Sequence, residues 1–185
     1  LRPRRQRQMC IRDRCNLDGN ALNDEKKKPS MEVSFHAWIL KSFPEIKCVC
    51  HTHPTNTNKI LCSGDIIDFA SKRLFPDQVV RNGIKSCVVP YATPGILLRE
   101  EIKKSVLEFI VDNGFFPKLI LLKNHGIITA STSVQEAIVS TLMCEKSAEI
   151  FIGAKMLSNI QFLTQDEIDA VNTHPSEKYR RSLIQ

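Results

Sequence analysis

The sequence predicts a three-layer α/β domain behind a short basic N-terminal segment. From residue 29 onward, short apolar runs typical of strands alternate with the wider apolar spacing of amphipathic helices. The chain of 185 residues is 42% apolar and 25% charged, which is enough to bury one sizeable core and excludes a disordered protein. No apolar run approaches the roughly 20 residues of a membrane helix, so we expect no membrane-spanning segment.

The first elements are predicted from capping residues and from the spacing of apolar side chains. Ser30 can cap a helix that Pro44 ends. The apolar stripe of this helix consists of Phe35, Trp38, Ile39 and Phe43. Residues 46–52 then have the composition of a short strand, and Pro54 suits the first turn of a short helix that reaches Cys62.

The middle of the chain is predicted to contain two helices and two strands. A short helix spans residues 65–74, and strands are expected around 79–80 and over 86–90. A long amphipathic helix runs from about 96 to 111 and stops at Asn113-Gly114, a pair typical of helix C-termini.

The last part of the chain holds a buried strand and two capped helices. Residues 118–123 form the strand, and residues 127–130 are its hairpin partner or its continuation. Two capping boxes open the remaining helices, the first of which extends to about Leu157. The boxes are Ser133 with Glu136 and Thr164 with Glu167.

The net charge of +6 is concentrated at the N-terminus. Residues 1–28 contain nine Lys or Arg and four acidic residues, a net of +5, whereas the remaining 17 basic and 16 acidic residues nearly cancel. We therefore predict that residues 1–28 form a disordered or foreign basic head and that residues 29–185 form the domain. Because no aromatic residues alternate with the basic ones, nucleic-acid binding is not expected.

The cysteines indicate a reducing compartment. Seven is an odd number, and no CxxC spacing repeats, so the thiols are expected to be reduced in a cytoplasmic protein rather than paired in a disulfide framework. The arginine-rich start also lacks the apolar stretch of a secretory signal.

A pair of histidines at the end of the first predicted strand is the most informative local feature. Side chains alternate along a strand, so His51 and His53 point to the same face while Cys48 and Cys50 point to the opposite one and are expected in the core. Two neighbouring imidazoles form half of a site for zinc or a similar divalent ion. Since an HxH pair also arises by chance, further ligands are needed.

A third ligand and a proton-transfer group are available elsewhere in the chain. His125 follows a buried strand and precedes Gly126, which allows a tight turn, so it either caps that turn or binds metal. Three histidines would leave open positions, as in catalytic zinc sites. Glu32, in the first turn of its helix, either interacts with the helix dipole or serves as a catalytic carboxylate. His36, one turn later, is expected to be a supporting residue.

Four segments in order resemble one known family, the class II aldolase/adducin family. They are PSMEVSFH (29–36), HTHP (51–54), VPYATPG (89–95) and KNHG (123–126). The resemblance implies an α/β/α sandwich with a central mixed, largely antiparallel sheet, and commonly a homotetramer with sites between subunits. It also implies a zinc-dependent lyase such as L-fuculose-phosphate or L-rhamnulose-phosphate aldolase, acting on a small phosphorylated sugar.

The same resemblance implies a role for each matched residue. His51, His53 and His125 would be the zinc ligands, and Glu32 would be the catalytic acid and base. Ser30 would help to bind the substrate phosphate. Tyr91, supplied by a neighbouring subunit, would donate a proton.

The resemblance leaves the reaction open and has two departures from the family pattern. Met31 stands where members with phosphorylated substrates carry a second serine, and residues 1–28 lack a counterpart of the family's N-terminal helix and phosphate loop. The reaction expected first is reversible cleavage of a ketose phosphate to dihydroxyacetone phosphate and an aldehyde. The alternatives are an epimerase, dehydratase or decarboxylase of the same family, or a non-catalytic adducin-like interaction module.

Overall fold

In a computed structural model of the protein, the described residues form four strands and seven helices, joined by turns and loops. The structure describes residues 15, 16, 22 and 29–176, so most of the predicted basic head lies outside the described residues. The strands are β1 (Cys48–Thr52), β2 (Cys87–Val89), β3 (Leu119–Leu122) and β4 (Gly126–Ser131). The helices are α1 (Val33–Ser42), α2 (Thr55–Leu61), α3 (Ile66–Ser71), α4 (Pro76–Asn82), α5 (Ile96–Asn113), α6 (Val134–Leu157) and α7 (Gln165–Thr173).

The strands form one mixed sheet in the order β1-β4-β3-β2. The pairs β1–β4 and β4–β3 are antiparallel, and only β3–β2 is parallel. Residues 127–130 are therefore the hairpin partner of β3, which settles the alternative left open by the sequence. The predicted mixed, largely antiparallel sheet is confirmed.

Helices cover both faces of the sheet, because the side chains of its central strands alternate between two cores. Ile120 and Leu122 of β3 enter one core with α1 and α5, whereas Leu119 and Leu121 enter the other with α2, α3 and α6. This alternation is the period of two that a fully buried strand requires. The predicted α/β/α sandwich is thereby confirmed.

One predicted strand is wrong. Val79 and Val80 lie in helix α4, where both are buried, and not in a strand. β-branched residues favour strands only weakly, and here the flanking residues decide. Pro76 occupies the first turn, where its fixed φ suits a helix, and Gly83 ends the helix with a φ of 82°.

The helix ends follow the predicted capping residues with three differences, one of which is that Pro54 lies at the N-cap of α2 and not in its first turn. Thr164 and Glu167 form the predicted capping box of α7, but Ser133 makes only half of one, since the Glu136 carboxylate accepts hydrogen bonds from Thr132 instead. Ser30 does not cap α1. Its hydroxyl accepts a hydrogen bond at 3.3 Å from the amide of Glu32, the residue just before the helix, and Glu32 occupies the N-cap position.

Arg73 is fully buried and holds the end of α3 against the loop before β2. Its guanidinium donates to the carbonyl oxygens of Ala70 and Gly83 at 3.0 and 2.6 Å and to the Ser86 hydroxyl at 3.0 Å. Burial lowers the pKa of Arg73 to about 10. Hydrogen bonds to these carbonyl oxygens stabilise the buried guanidinium charge, in the role that a carboxylate often has.

In the described part of the chain, no helix has the length and apolar character needed to cross a membrane.

Candidate metal centre

The sequence-predicted histidines meet at one end of the sheet because of the strand order. The last residue of β1 pairs with Ile127, next to the first residue of β4. The turn that carries His125 joins β3 to β4 at the same end, where Leu122 pairs with Gly126. Residues 51 and 53 are thus brought beside residue 125, although more than 70 residues separate them in sequence.

Three imidazoles and one carboxylate converge at this end of the sheet. One donor atom from each of Glu32, His51, His53 and His125 lies within 4.8 Å of the others. Glu32 Oε1 is 3.4 Å from Nε2 of His51 and 3.2 Å from Nε2 of His125. Glu32 comes from the start of α1, so the helix that packs on this face of the sheet also carries the carboxylate to the histidines.

The tautomer of neutral His51 is set by its backbone partner. Its Nδ1 lies 2.8 Å from the carbonyl oxygen of Ile127. A carbonyl only accepts, so Nδ1 carries the proton and donates, which leaves the Nε2 lone pair facing the other donors. A backbone acceptor behind a histidine is the usual means of orienting a metal ligand.

Gly126 is required by the position of the His53 ring. A Cβ atom at residue 126 would lie 2.3 Å from Cδ2 of His53 and 2.6 Å from the carbonyl oxygen of Thr52. A tight turn is expected at this glycine from the sequence, but its φ is not positive. The residue that takes the left-handed conformation is Asn124, with a φ of 55°.

The short turn before Gly126 fixes His125 by its backbone. The His125 amide donates to Leu122 O at 3.1 Å, and the Asn124 amide donates to Leu61 O at the end of α2. Nδ1 of His125 is buried and has no partner among the described residues, while Nε2 faces Glu32. The ring therefore presents one nitrogen to the cluster.

The electrostatics of the cluster favour neutral imidazoles. Burial lowers the pKa of His51 and that of His125, although the Glu32 carboxylate acts in the opposite direction. His36 does not belong to the cluster. It stacks on Phe35 beside His51, and burial together with the His51 charge lowers the pKa of His36 to about 4.

Three of the distances between donor atoms are close to those in the coordination shell of a small divalent ion, and all of them are within 4.8 Å. Four ligands about 2.0 to 2.1 Å from a tetrahedral zinc are roughly 3.3 Å from one another. The two contacts of Glu32, at 3.4 and 3.2 Å, match this spacing. The contact between Nε2 of His51 and Nε2 of His53 is somewhat shorter, at 2.9 Å. This donor set suits zinc and the other divalent transition metals that imidazole binds well.

Two further predicted site residues lie outside this cluster. Ser30 is exposed and bonds to the Glu32 amide, next to Met31, whose side chain is 69% exposed. Tyr91 is 60% exposed and follows β2 at the same end of the sheet. The strand before Tyr91, β2, lies three strand spacings from β1, which carries His51. The distance between these two strands is therefore about 14 Å.

Cys48 and Cys50 lie on the face opposite the histidines, as the alternation predicts. Cys50 pairs with Thr129, whose hydroxyl bonds to α6, whereas His51 pairs with Ile128 of the other core. Both cysteines are half-buried rather than fully in the core. Burial raises the pKa of the Cys48 thiol, which keeps it protonated and disfavours it as a ligand.

The contribution of Ile127 is not predictable from the sequence, because a backbone carbonyl leaves no signature there. Asn124 as the left-handed turn residue was predictable, since asparagine adopts this conformation more readily than most residues, but it was not among the predictions.

Comparison with known proteins identifies relatives over most of the chain. Residues 12–152 match the model of the Class II Aldolase and Adducin N-terminal domain. The match begins inside the predicted basic head, so the boundary at residue 28 stays a prediction. A 3-oxo-tetronate 4-phosphate decarboxylase from Haemophilus influenzae is 29% identical over 154 residues, which cover 83% of this chain and 68% of the relative. An L-fuculose phosphate aldolase from Methanococcus maripaludis is 32% identical over 145 residues, covering 77% and 68%.

A solved structure shares the fold. The crystal structure of YgbL from Escherichia coli superimposes with a TM-score of 0.69 at 26% identity, covering 85% of this chain and 71% of that protein. The chain thus spans about two thirds to 70% of the length of the proteins that it matches.

Proposed function

Because the chain belongs to the class II aldolase and adducin family, we propose that it is a metal-dependent lyase that breaks a carbon–carbon bond in a small phosphorylated sugar. The observation that carries this proposal is the convergence of one carboxylate and three imidazoles within 4.8 Å at the end of the sheet. The substrate class rests on relatives named as a 3-oxo-tetronate 4-phosphate decarboxylase and an L-fuculose phosphate aldolase.

His51, His53 and His125 would hold the ion, most suitably zinc. When bound there, it would supply a Lewis acid that stabilises negative charge on a substrate carbonyl oxygen. The chain's own contribution is to keep the Nε2 lone pair of His51 directed at the site through the bond to Ile127 and to hold the three rings in a fixed triangle. Glu32 also lies at ligand distance and would complete the shell when no substrate is present.

Glu32 would move the proton that the reaction requires. Breaking a carbon–carbon bond beside a carbonyl leaves an electron pair on carbon, and that carbon must then take up a proton. Oε1 of Glu32 lies beside His51 and His125, and its side chain is 25% exposed, so it would reach both the substrate and solvent. A carboxylate anchored at a helix start keeps its position between turnovers.

The first candidate reaction is retro-aldol cleavage of a ketose 1-phosphate. The bond between C3 and C4 breaks, the C4 hydroxyl proton passes to solvent as the aldehyde forms, and C3 takes a proton that the Glu32 carboxyl group has taken up from solvent. This reaction needs a second group for the C4 hydroxyl, and Tyr91 is the candidate. Since Tyr91 is exposed, follows the strand farthest from His51 and His53, and is not in the cluster, we assign it to the site of a second copy in a homotetramer.

The second candidate is decarboxylation of a 3-oxo sugar-acid phosphate, which the relatives of that name favour. The bond between C1 and C2 breaks, carbon dioxide leaves, and C2 takes a proton from Glu32. No hydroxyl proton is removed, so this reaction makes no demand on Tyr91. A Tyr91→Phe variant therefore separates the two, because it should slow aldol cleavage strongly and decarboxylation little.

The phosphate end of the substrate is assigned to Ser30. Its hydroxyl is exposed near the start of α1, two residues before Glu32, which suits contact with a substrate bound at the cluster. Met31 offers no second hydroxyl, so we expect weaker phosphate recognition than a paired serine would give.

Metal content tests the site assignment directly. We expect the purified protein to retain close to one zinc, manganese or cobalt ion per chain, measured by elemental analysis, and His51→Ala or His125→Ala to abolish this retention. Full metal content in both variants would refute the assignment.

The reaction is tested with metal-replete protein in two parallel assays. Ketose 1-phosphates are screened for aldehyde release, and 3-oxo acid phosphates are screened for carbon dioxide release, with Glu32→Gln as the control. We expect Glu32→Gln to lower either activity by at least about 100-fold. Turnover that does not depend on Glu32 would refute its role, and metal binding without turnover of either class would favour the adducin-like module.

A further inference from the structure

Helix α2 begins immediately after the HTHP segment and has no capping side chain of its own. It starts at Thr55, and Pro54 at the N-cap position has no side-chain oxygen with which to accept a hydrogen bond. The first amides of any helix lack partners within that helix. The position of α2 therefore depends on a partner from elsewhere in the fold.

That partner is Glu145, which comes from the middle of α6 and lies 88 residues further along the chain. Its Oε1 accepts a hydrogen bond from the Asn56 amide at 2.8 Å. Its Oε2 accepts two more, from the amide and from the hydroxyl of Thr57, each at 2.9 Å. One carboxylate thus replaces the missing N-cap with three hydrogen bonds.

The surroundings make this contact strong. Thr57 is fully buried, and its hydroxyl also lies 3.7 Å from Sγ of the buried Cys144. Burial by itself would raise the pKa of Glu145, but the hydrogen bonds from Asn56 and Thr57 lower it below its usual value. An ionised carboxylate at a helix N-terminus is also favoured by the helix dipole.

We propose that Glu145 is a positioning residue for His53, because it fixes the start of α2, which follows directly after the HTHP segment. This inference rests on the proposed metal-dependent function. Residue 145 contacts neither the cluster nor the substrate site, so its effect on the metal would pass through the backbone of α2.

The route from Glu145 to His53 is short and stiff. Only Pro54 and Thr55 separate His53 from the two amides that Glu145 holds. The proline ring fixes φ of residue 54 at −68°, so a displacement of α2 is transmitted to His53 rather than absorbed. His51 differs, since the bond to Ile127 orients its ring directly.

The contact of His53 with Gly126 makes the ring sensitive to such a displacement. Cδ2 of His53 occupies the space where a Cβ of residue 126 would be, and that space closes on the other side at the Thr52 carbonyl. If α2 shifts towards β4, the His53 ring collides with the β4 backbone at Gly126. If α2 shifts away, the ring leaves the cluster and one metal ligand is lost.

The test compares two substitutions on the same helix, Glu145→Gln and Glu136→Gln, in the full chain with cobalt(II) as the probe. Glutamine keeps the size of the side chain but presents an amide NH₂ where one of the backbone amides donates. Glu136 also bonds to a neighbouring segment, through Thr132 and Lys118, at the opposite end of the sheet. Glu136→Gln therefore removes comparable hydrogen bonds from α6 but leaves the contact between Glu145 and α2 intact.

Cobalt affinity is measured by chelator competition, and the visible ligand-field spectrum is recorded for each folded variant. We expect Glu145→Gln to weaken cobalt binding by about tenfold, at the lower end of the effect of outer-shell partners, and to alter the spectrum. Glu136→Gln should leave both within twofold of the wild type. Thr57→Val, which removes one of the three hydrogen bonds, should have a smaller effect in the same direction as Glu145→Gln.

Equal affinity and an unchanged spectrum in Glu145→Gln would overturn the positioning role while the wild type still binds cobalt. Equal losses in Glu145→Gln and Glu136→Gln would also overturn it, because they would reflect general destabilisation. A wild-type chain that takes up no cobalt would refute the proposed function itself, and with it this inference.

Discussion

Replacement of Gly126 by alanine should destroy the metal centre while leaving the fold intact. The new Cβ would stand 2.3 Å from Cδ2 of His53 and 2.6 Å from the carbonyl oxygen of Thr52. Carbon atoms in contact are about 3.5 Å or more apart, so the ring must retreat by about 1 Å. The carbonyl has little freedom, because Thr52 belongs to β1 and pairs with Ile127 of β4.

A displacement of this size exceeds what a metal ligand tolerates. Bond lengths in such sites hold to within about 0.2 Å, so His53 would be lost as a ligand. Outer-shell changes alone weaken metal binding by about 10 to 100-fold, and we expect the loss here to be at least about 100-fold. Overpacking at this position should also lower the free energy of unfolding by about 1 to 3 kcal/mol.

The assay measures cobalt(II) affinity by chelator competition and stability by urea unfolding. Gly153→Ala is the matched control, since a Cβ there meets nothing within 4 Å and alanine suits a helix interior. That control should bind metal as the wild type does and be equally or more stable. Wild-type metal affinity in Gly126→Ala would refute the argument that the glycine makes room for His53.

Three further predictions concern stability. Arg73→Met should lower the free energy of unfolding by about 3 kcal/mol or more, because the Gly83 carbonyl and the Ser86 hydroxyl lose their buried donor, while the Ala70 carbonyl keeps only the Ser86 amide; a urea midpoint equal to that of the wild type would contradict this. Ser133→Ala should cost about 1 kcal/mol through loss of the bond from the Glu136 amide, and should leave cobalt affinity unchanged. Burial alone would raise the pKa of Glu136, but Lys118 and Thr132 outweigh it and lower the pKa below 4.5. The stabilisation from Glu136 is therefore present above that pH and is lost as the pH falls through the folded-state pKa, so the difference in urea midpoint between wild type and Glu136→Gln should shrink from pH 7 to pH 3.5.

The sequence predicts most of the fold, because the signals of most elements are local. The strand at 118–123 and the long helix near 96–111 were both expected, and the structure places β3 and α5 there with ends that differ by one or two residues. The exception is instructive. The Val79-Val80 pair resembles a strand by composition, but Pro76 and Gly83 bound a helix, so the flanking residues outweigh the intrinsic preference.

The candidate site also contains residues that the sequence predicts and residues that it does not. The sequence identified the three histidines and Glu32 as a group, partly from strand alternation and partly from the family resemblance, and the structure brings the four together. It gave the wrong reason for Gly126 and had no signal for Glu145. Gly126 and Glu145 both act through contacts with residues distant in sequence, which are brought together only when the chain folds.

Features that depend on neighbours along the chain follow from the sequence alone. Because side chains alternate along a strand, His51 and His53 share a face whatever the rest of the protein does, and the capping residues mark where helices begin. Features that depend on strand pairing arise only when the chain folds. The register that sets Thr52 opposite Ile127 brings His125 beside the pair, leaves room only for glycine at residue 126, and lets the Ile127 carbonyl orient His51. Such contacts join residues that are distant in sequence, and no local pattern encodes their distance.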